Sequence, residues 1–75
     1  MVYAYLLRAP GCELDGEPFT IQDTCRERAD VRASARVQSD LAFASSDVRM
    51  AARAIHYGTF TSKTELEKYE ERLSA

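Results

Sequence analysis

The sequence has no tryptophan, one histidine, two cysteines, two prolines and three glycines. With so few sulfur and imidazole ligands, a structural zinc site would need additional ligands, so we expect no bound metal or other cofactor. No apolar run approaches the length of a membrane span, and the first residues lack the pattern of a secretory signal. We therefore expect a cytoplasmic protein with no membrane partner. A disulfide closing residues 12–25 stays open as an alternative to free thiols.

The 75 residues are 45% hydrophobic and 29% charged, which is typical of a globular protein. This length predicts a single small domain over residues 1–75. A chain of this size buries only about 60% of its unfolded surface, so it gains more from self-association than a larger domain would. We expect a monomer or a homodimer.

The N-terminal stretch predicts a strand over Val2–Leu7, with apolar side chains pointing to both faces. Such a strand must be covered on both sides or buried against a partner. Pro10-Gly11 ends it, and Asp15-Gly16 predicts a two-residue hairpin turn into a second strand over 19–22. Because a lone hairpin is marginal in water, we expect helices to pack on it.

Residues 23–44 fit two patterns. Apolar residues at helical spacing predict one long helix, whereas alternation over residues 31–43 is compatible with a strand. Length favours the helix, since about twenty residues run without a turn signal and a strand is usually much shorter. A break near Gln38-Ser39-Asp40 stays open as an alternative to one uninterrupted helix.

Residues 45–75 predict two further helices. Ser45 is placed to cap a helix that continues through Ile55, and Gly58 stands where a glycine commonly ends one. Ser62 and Glu65 form a capping box that starts the last helix. Together these segments predict an α+β fold, in which a small N-terminal antiparallel hairpin or sheet packs against about three helices.

The basic residues are unevenly placed, because residues 26–57 contain six arginines against four carboxylates. Helical spacing places Arg28, Arg32 and Arg36 on a single face, and the same four-residue spacing recurs between Arg49 and Arg53 in the next predicted helix. Planar guanidinium groups suit contacts with phosphates or with an acidic protein surface, while a merely solvated face is the alternative interpretation. The candidate partner-binding arginines are Arg28, Arg32, Arg36, Arg49 and Arg53.

The last helix is acidic, and its Glu67, Glu70 and Glu71 complete the set of candidate partner-binding residues. A recognition helix for DNA should not be net acidic, because attraction to phosphates dominates affinity. The two-helix unit is therefore a weak candidate for a DNA reader, although its turn spacing is typical of a helix-turn-helix.

Residues 58–66, Gly-Thr-Phe-Thr-Ser-Lys-Thr-Glu-Leu, resemble the helix junction of ParD-type ribbon-helix-helix antitoxins. The resemblance implies a dimeric DNA-binding fold whose strand would be drawn from residues 37–43. The basic and aliphatic helix pattern that follows in that family is absent from residues 68–72.

No catalytic motif stands out. His56 is adequately explained by a position near a helix end or by partial burial, and so small a chain has little room for a water-excluding pocket. We expect no enzymatic activity. The sequence favours a small interaction module that inhibits or regulates a partner protein or nucleoprotein complex, in the size class of phage-encoded anti-CRISPR proteins. A nucleic-acid-binding regulator that uses the arginine face is the alternative.

Overall fold

The computed structural model describes residues 1–75. In chain order its elements are β1 (Val2–Arg8), β2 (Pro18–Gln22), α1 (Arg26–Asp40), α2 (Ser46–Ala51), β3 (Arg53–Phe60) and α3 (Lys63–Ser74). The strands form one antiparallel sheet in the order β2-β1-β3. The α+β fold predicted from the sequence is confirmed.

Strand β1 lies at the centre of the sheet and is apolar on both faces. Tyr3, Tyr5 and Leu7 point toward α1, while Val2 and Ala4 point to the opposite face, and all five side chains are buried. The prediction that this strand is covered on both sides is therefore confirmed for its first residues.

Helix α1 packs on the sheet through Ala29, Ala33 and Val37, which repeat every four residues and are at most 1% exposed. The two alanines lie against Tyr3 and Tyr5 in one cluster, so small helix residues leave room for large strand residues. The helical interpretation is correct as far as Asp40, where the helix ends; this agrees with the alternative of a break near residues 38–40.

The predicted two-residue hairpin at Asp15-Gly16 is wrong. Strand β1 ends at Arg8 and β2 begins at Pro18, so residues 9–17 form a longer connection. The Asp15 carboxylate accepts a hydrogen bond from the Ala9 amide at 2.8 Å, which closes this connection on itself. Gly16 has a φ of 86°, a conformation that favours glycine.

The helix predicted from Ser45 through Ile55 is also wrong beyond Ala51. Residues 53–60 instead form β3, which pairs with β1 from Arg8 opposite Arg53 to Val2 opposite Phe60. Gly58 therefore lies inside a strand without the positive φ of a helix-ending glycine. Long-range pairing with an apolar central strand outweighed the local helical spacing.

Strand β3 contains a bulge at Tyr57. Tyr5 pairs with His56 and Ala4 pairs with Gly58, which leaves Tyr57 as the extra residue. A Cβ atom on Gly58 would lie 2.6 Å from the Phe60 ring, so glycine allows that ring to fold back over the strand. The ring in turn packs against Tyr69 of α3, with centroids 5.2 Å apart.

The predicted helix caps are confirmed at both serines. The Ser45 hydroxyl accepts from the Val48 amide at 3.4 Å, and the Ser62 hydroxyl accepts from the Glu65 amide at 3.2 Å. The Glu65 carboxylate in turn accepts from the Thr61 amide rather than from the Ser62 amide. Neither a helix-turn-helix nor the strand order implied by the antitoxin resemblance is present, because residues 53–60 are a strand and residues 37–40 end a helix.

Candidate functional site

The arginine row of α1 consists of Arg28, Arg32 and Arg36. Each precedes one of the buried residues of the helix, and their contacts place them along the edge that faces β2. Their side chains are 59%, 53% and 52% exposed, so the guanidinium groups reach solvent. The predicted common face is confirmed for these three residues.

Asp23 holds two of these arginines. Its carboxylate accepts from Arg28 at 2.6 Å and from Arg32 at 3.1 Å, and it also accepts from the amides of Thr24 and Cys25. The Asp23 side chain is only 5% exposed. These donors, Arg28 above all, hold the pKa of Asp23 far below the usual carboxyl range. Half of the basic charge of this pair is therefore neutralised within the chain.

Arg32 and Arg36 make further contacts with β2 and with the end of α1. Arg32 donates to the Gln22 carbonyl at 2.9 Å, which satisfies an acceptor on strand β2. Arg36 lies 3.5 Å from Asp40 and stacks over the Phe19 ring at 5.6 Å. The arginine row thus fastens α1 to β2 and to Asp23 beside it, while more than half of each arginine side chain stays exposed.

The two remaining candidate arginines lie elsewhere. Arg49 on α2 donates to the Ala42 carbonyl at 3.0 Å and so holds the α1–α2 connection. Arg53 begins β3 opposite Arg8, on the sheet face away from α1. The five arginines therefore do not lie on one surface, and they do not form a single basic patch.

The acidic candidates Glu67, Glu70 and Glu71 are exposed on α3. Their spacing of three and four residues places Glu67 beside both others on the helix surface. Burial raises the pKa of the Tyr57 hydroxyl, and its interaction with Glu70 raises that pKa further. The Tyr57 hydroxyl at the bulge of β3 is thus close enough to the Glu70 carboxylate of α3 to feel its charge.

One polar cluster lies between α1 and the sheet. The Tyr5 hydroxyl donates to Asp30 at 2.6 Å, and Arg26 donates to the same carboxylate at 3.0 Å. Burial, followed by the Asp30 hydrogen bond, raises the pKa of Tyr5, while that hydrogen bond lowers the pKa of Asp30. Because Tyr5 is only 1% exposed, the cluster can anchor the helix but offers its hydroxyl to no ligand.

His56 lies at the margin of this cluster. Its ring meets Tyr5 edge-on at a centroid distance of 5.4 Å, and its Nε2 is 2.9 Å from the Thr59 hydroxyl. Partial burial lowers the pKa of His56, with the charge of Arg26 contributing less. The residue is in a strand, so the predicted placement near a helix end is wrong, whereas partial burial is confirmed.

An apolar groove was not predicted from the sequence. It lies between the β1–β2 connection and the segment that joins α1 to α2, and its volume is 530 Å³. Phe43 stands fully exposed at its side, and the carboxylates of Glu13 and Asp40 line it as well. We call this the Phe43 groove; its apolar lining is formed by Cys12, Leu14, Leu41, Phe43, Ala44 and Val48. In the sequence, the feature that could have indicated this groove is Phe43, an aromatic residue between the end of α1 and the Ser45 cap of α2.

Cys12 and Cys25 are both free, so the disulfide alternative is not realised. No cluster of three or more histidine, cysteine or acidic side chains is arranged to hold a metal ion. None of the three helices combines the length and apolarity needed to cross a bilayer.

No protein family, curated protein or solved structure matches the chain.

Proposed function

We propose that this chain is a small protein-interaction module that inhibits or regulates a partner by occupying part of its surface. The observation that carries the proposal is the full exposure of Phe43 beside an apolar groove. Exposed aromatic side chains next to a concave apolar surface are typical of interaction sites, where aromatic anchors supply much of the binding energy.

The lining of the Phe43 groove indicates the chemistry of the partner. Its walls are mostly apolar, and Glu13 and Asp40 add two carboxylates. Asp40 is only partly neutralised by Arg36, whose Nε lies 3.5 Å away. A complementary segment would therefore place an apolar side chain against Phe43 and a lysine or arginine near these carboxylates.

A role without chemistry of its own is supported by the placement of the titratable groups. The one buried hydroxyl with a strongly raised pKa, on Tyr5, points into the helix–sheet contact and is closed by Asp30. The Asp23 carboxylate is saturated by arginine and amide donors. In both cases the perturbed pKa is explained by a bond that stabilises the fold.

The proposal is tested with a photo-crosslinking amino acid at position 43 in cells of the native source. The captured protein is purified, and its affinity for Phe43→Ala is compared with that for Val31→Ala. Val31 is a matched control because it is an exposed apolar residue on α1. We expect Phe43→Ala to weaken binding at least tenfold, about 1.4 kcal/mol, and Val31→Ala to leave it unchanged. Equal affinities for both variants, or no specific cross-link, would overturn the proposal.

Nucleic-acid binding through the arginine row is a second candidate, favoured by the exposure of more than half of each side chain. The carboxylates of Asp23 and Asp40 weaken this candidate, because they already neutralise much of the row. A mobility-shift titration at low and moderate salt tests it, since phosphate contacts give a steep salt dependence. Absence of a shift at low salt would eliminate it, as would an unchanged shift with Arg28, Arg32 and Arg36 all replaced by glutamine.

A further inference from the structure

The sheet face opposite α1 is divided into a covered half and an open half. Leu66 of α3 covers Val2 and Ala4, and all three are buried. Farther along the same face, Leu6 lies opposite Ile55, and Ile55 is 43% exposed because no helix packs above it. We call the second region the open half; it consists of Leu6, Arg8, Arg53 and Ile55.

Two arginines border the apolar centre of the open half. Arg8 and Arg53 are directly opposite one another on neighbouring strands, an arrangement in which like charges repel. Arg8 forms a long ion pair with Asp15, whose Oδ1 lies 3.7 Å from its Nε. Arg53 has no carboxylate within ion-pair distance. An anionic group docked here would relieve that repulsion.

Helix α3 presents the complementary surface. Leu66 is buried, Tyr69 is partly exposed and Leu73, on the same side of the helix, is 67% exposed. The apolar side of α3 therefore extends beyond the sheet that it covers in its own chain. Glu70 lies three residues from Leu73 and four from Leu66, so its carboxylate adjoins this apolar side.

We propose that the chain forms a homodimer in which α3 of each copy lies across the open half of the other. Leu73 would then pack on Leu6 and Ile55, and Glu70 would approach Arg53. A two-fold axis makes the two contacts equivalent, since each copy supplies one basic patch and one acidic helix. This surface is separate from the Phe43 groove, so the dimer does not rest on the proposed function.

The expected dimer is weak and sensitive to salt. Each contact involves few side chains, and small interfaces of this kind are usually transient. Ion pairs at an exposed interface are screened as ionic strength rises. Sedimentation velocity over a concentration series, at low and moderate salt, should show a shift from monomer to dimer that weakens with salt. A monomer at every concentration in low salt would overturn the proposal.

Charge reversal identifies the surfaces. We expect Arg53→Glu and Glu70→Lys each to weaken self-association at least tenfold, because each places like charges across both contacts. Mixing these two variants should restore association, since each contact in the mixed dimer again joins opposite charges. Glu71→Lys is the matched control: it makes the same charge change one residue away, turned from Leu73, and should leave the dimer unchanged.

All of these positions are exposed, so the variants should fold, and circular dichroism checks that they do. Arg53→Gln, which removes charge without reversing it, should give a smaller loss. A wild-type dimer that survives Arg53→Glu, or a mixture that associates no better than its components, would show that another surface is used and would overturn the proposal.

Discussion

The two faces of the sheet differ in how completely the helices of the chain cover them. On the α1 face, Tyr3, Tyr5 and Leu7 are buried beneath a helix that is fastened through Asp23 and Asp30. The opposite face has one buried helix residue, Leu66, and leaves its other half open. A chain of this size therefore covers one face of its sheet fully and the other only in part.

This comparison predicts that shortening a side chain lowers the free energy of unfolding far more on the α1 side of the sheet than on the opposite side. Leu41 is 2% exposed and packs with Leu7 and Val37, so Leu41→Ala should cost about 2–5 kcal/mol of unfolding free energy. Leu73→Ala, the same change at an exposed position, should stay within about 0.5 kcal/mol. Urea denaturation measures both, and equal losses would contradict the distinction between the two sides.

A second change tests the covered half of the opposite face. Gly58→Ala would place a methyl group against the Phe60 ring, which must then move away from Tyr69. We expect a loss of about 1–3 kcal/mol, typical of overpacking. The control is Gly58→Ala introduced into a Phe60→Leu background, where the ring that the new methyl group would meet is absent. If Gly58→Ala were no more destabilising than the control, the ring would not be confined as described.

A third change, with a smaller expected effect, tests how α1 is fastened. The folded state lowers the pKa of Asp23, so its contribution is complete above the ordinary carboxyl range, near pH 4, and is lost as the pH falls further. Asp23→Asn should therefore lower stability at pH 7 and flatten the loss of stability in acid. Thermal unfolding between pH 2 and 7 measures this, with Asp47→Asn as an exposed control. An unchanged acid profile would show that the Arg28 and Arg32 contacts contribute nothing.

Sequence patterns predicted the elements whose stability is mainly local. Helix α1 carries a regular stripe of buried residues, and the caps at Ser45 and Ser62 act within a few residues of themselves. Strand β3 was missed because Val48, Ala51 and Ile55 continue a helical spacing, whereas its pairing with β1 joins distant parts of the chain. The best available signal was β1 itself, since a strand apolar on both faces needs neighbours on both sides.

The candidate site was predicted only in part. Spacing placed Arg28, Arg32 and Arg36 on one side of a helix, and the Arg36–Asp40 pair followed from the same spacing. It could not show that Asp23, which precedes the helix, would bind two of these arginines. The Phe43 groove was missed because its walls come from segments far apart in sequence, whose approach only the folded chain determines.

The extra residue in β3 lets side chains that are an even number of residues apart point to opposite faces of the sheet. Before it, Ala54 and His56 point toward α1, and after it, Phe60 points the other way. Because Tyr57 is the unpaired residue, deleting it would restore a regular alternation and leave every other side chain of the strand on its present face. A one-residue deletion at a paired position of β3, with the bulge retained, would instead turn one end of the strand over. The bulge is therefore the place in this strand where the chain can lose a residue without exchanging its buried and exposed side chains.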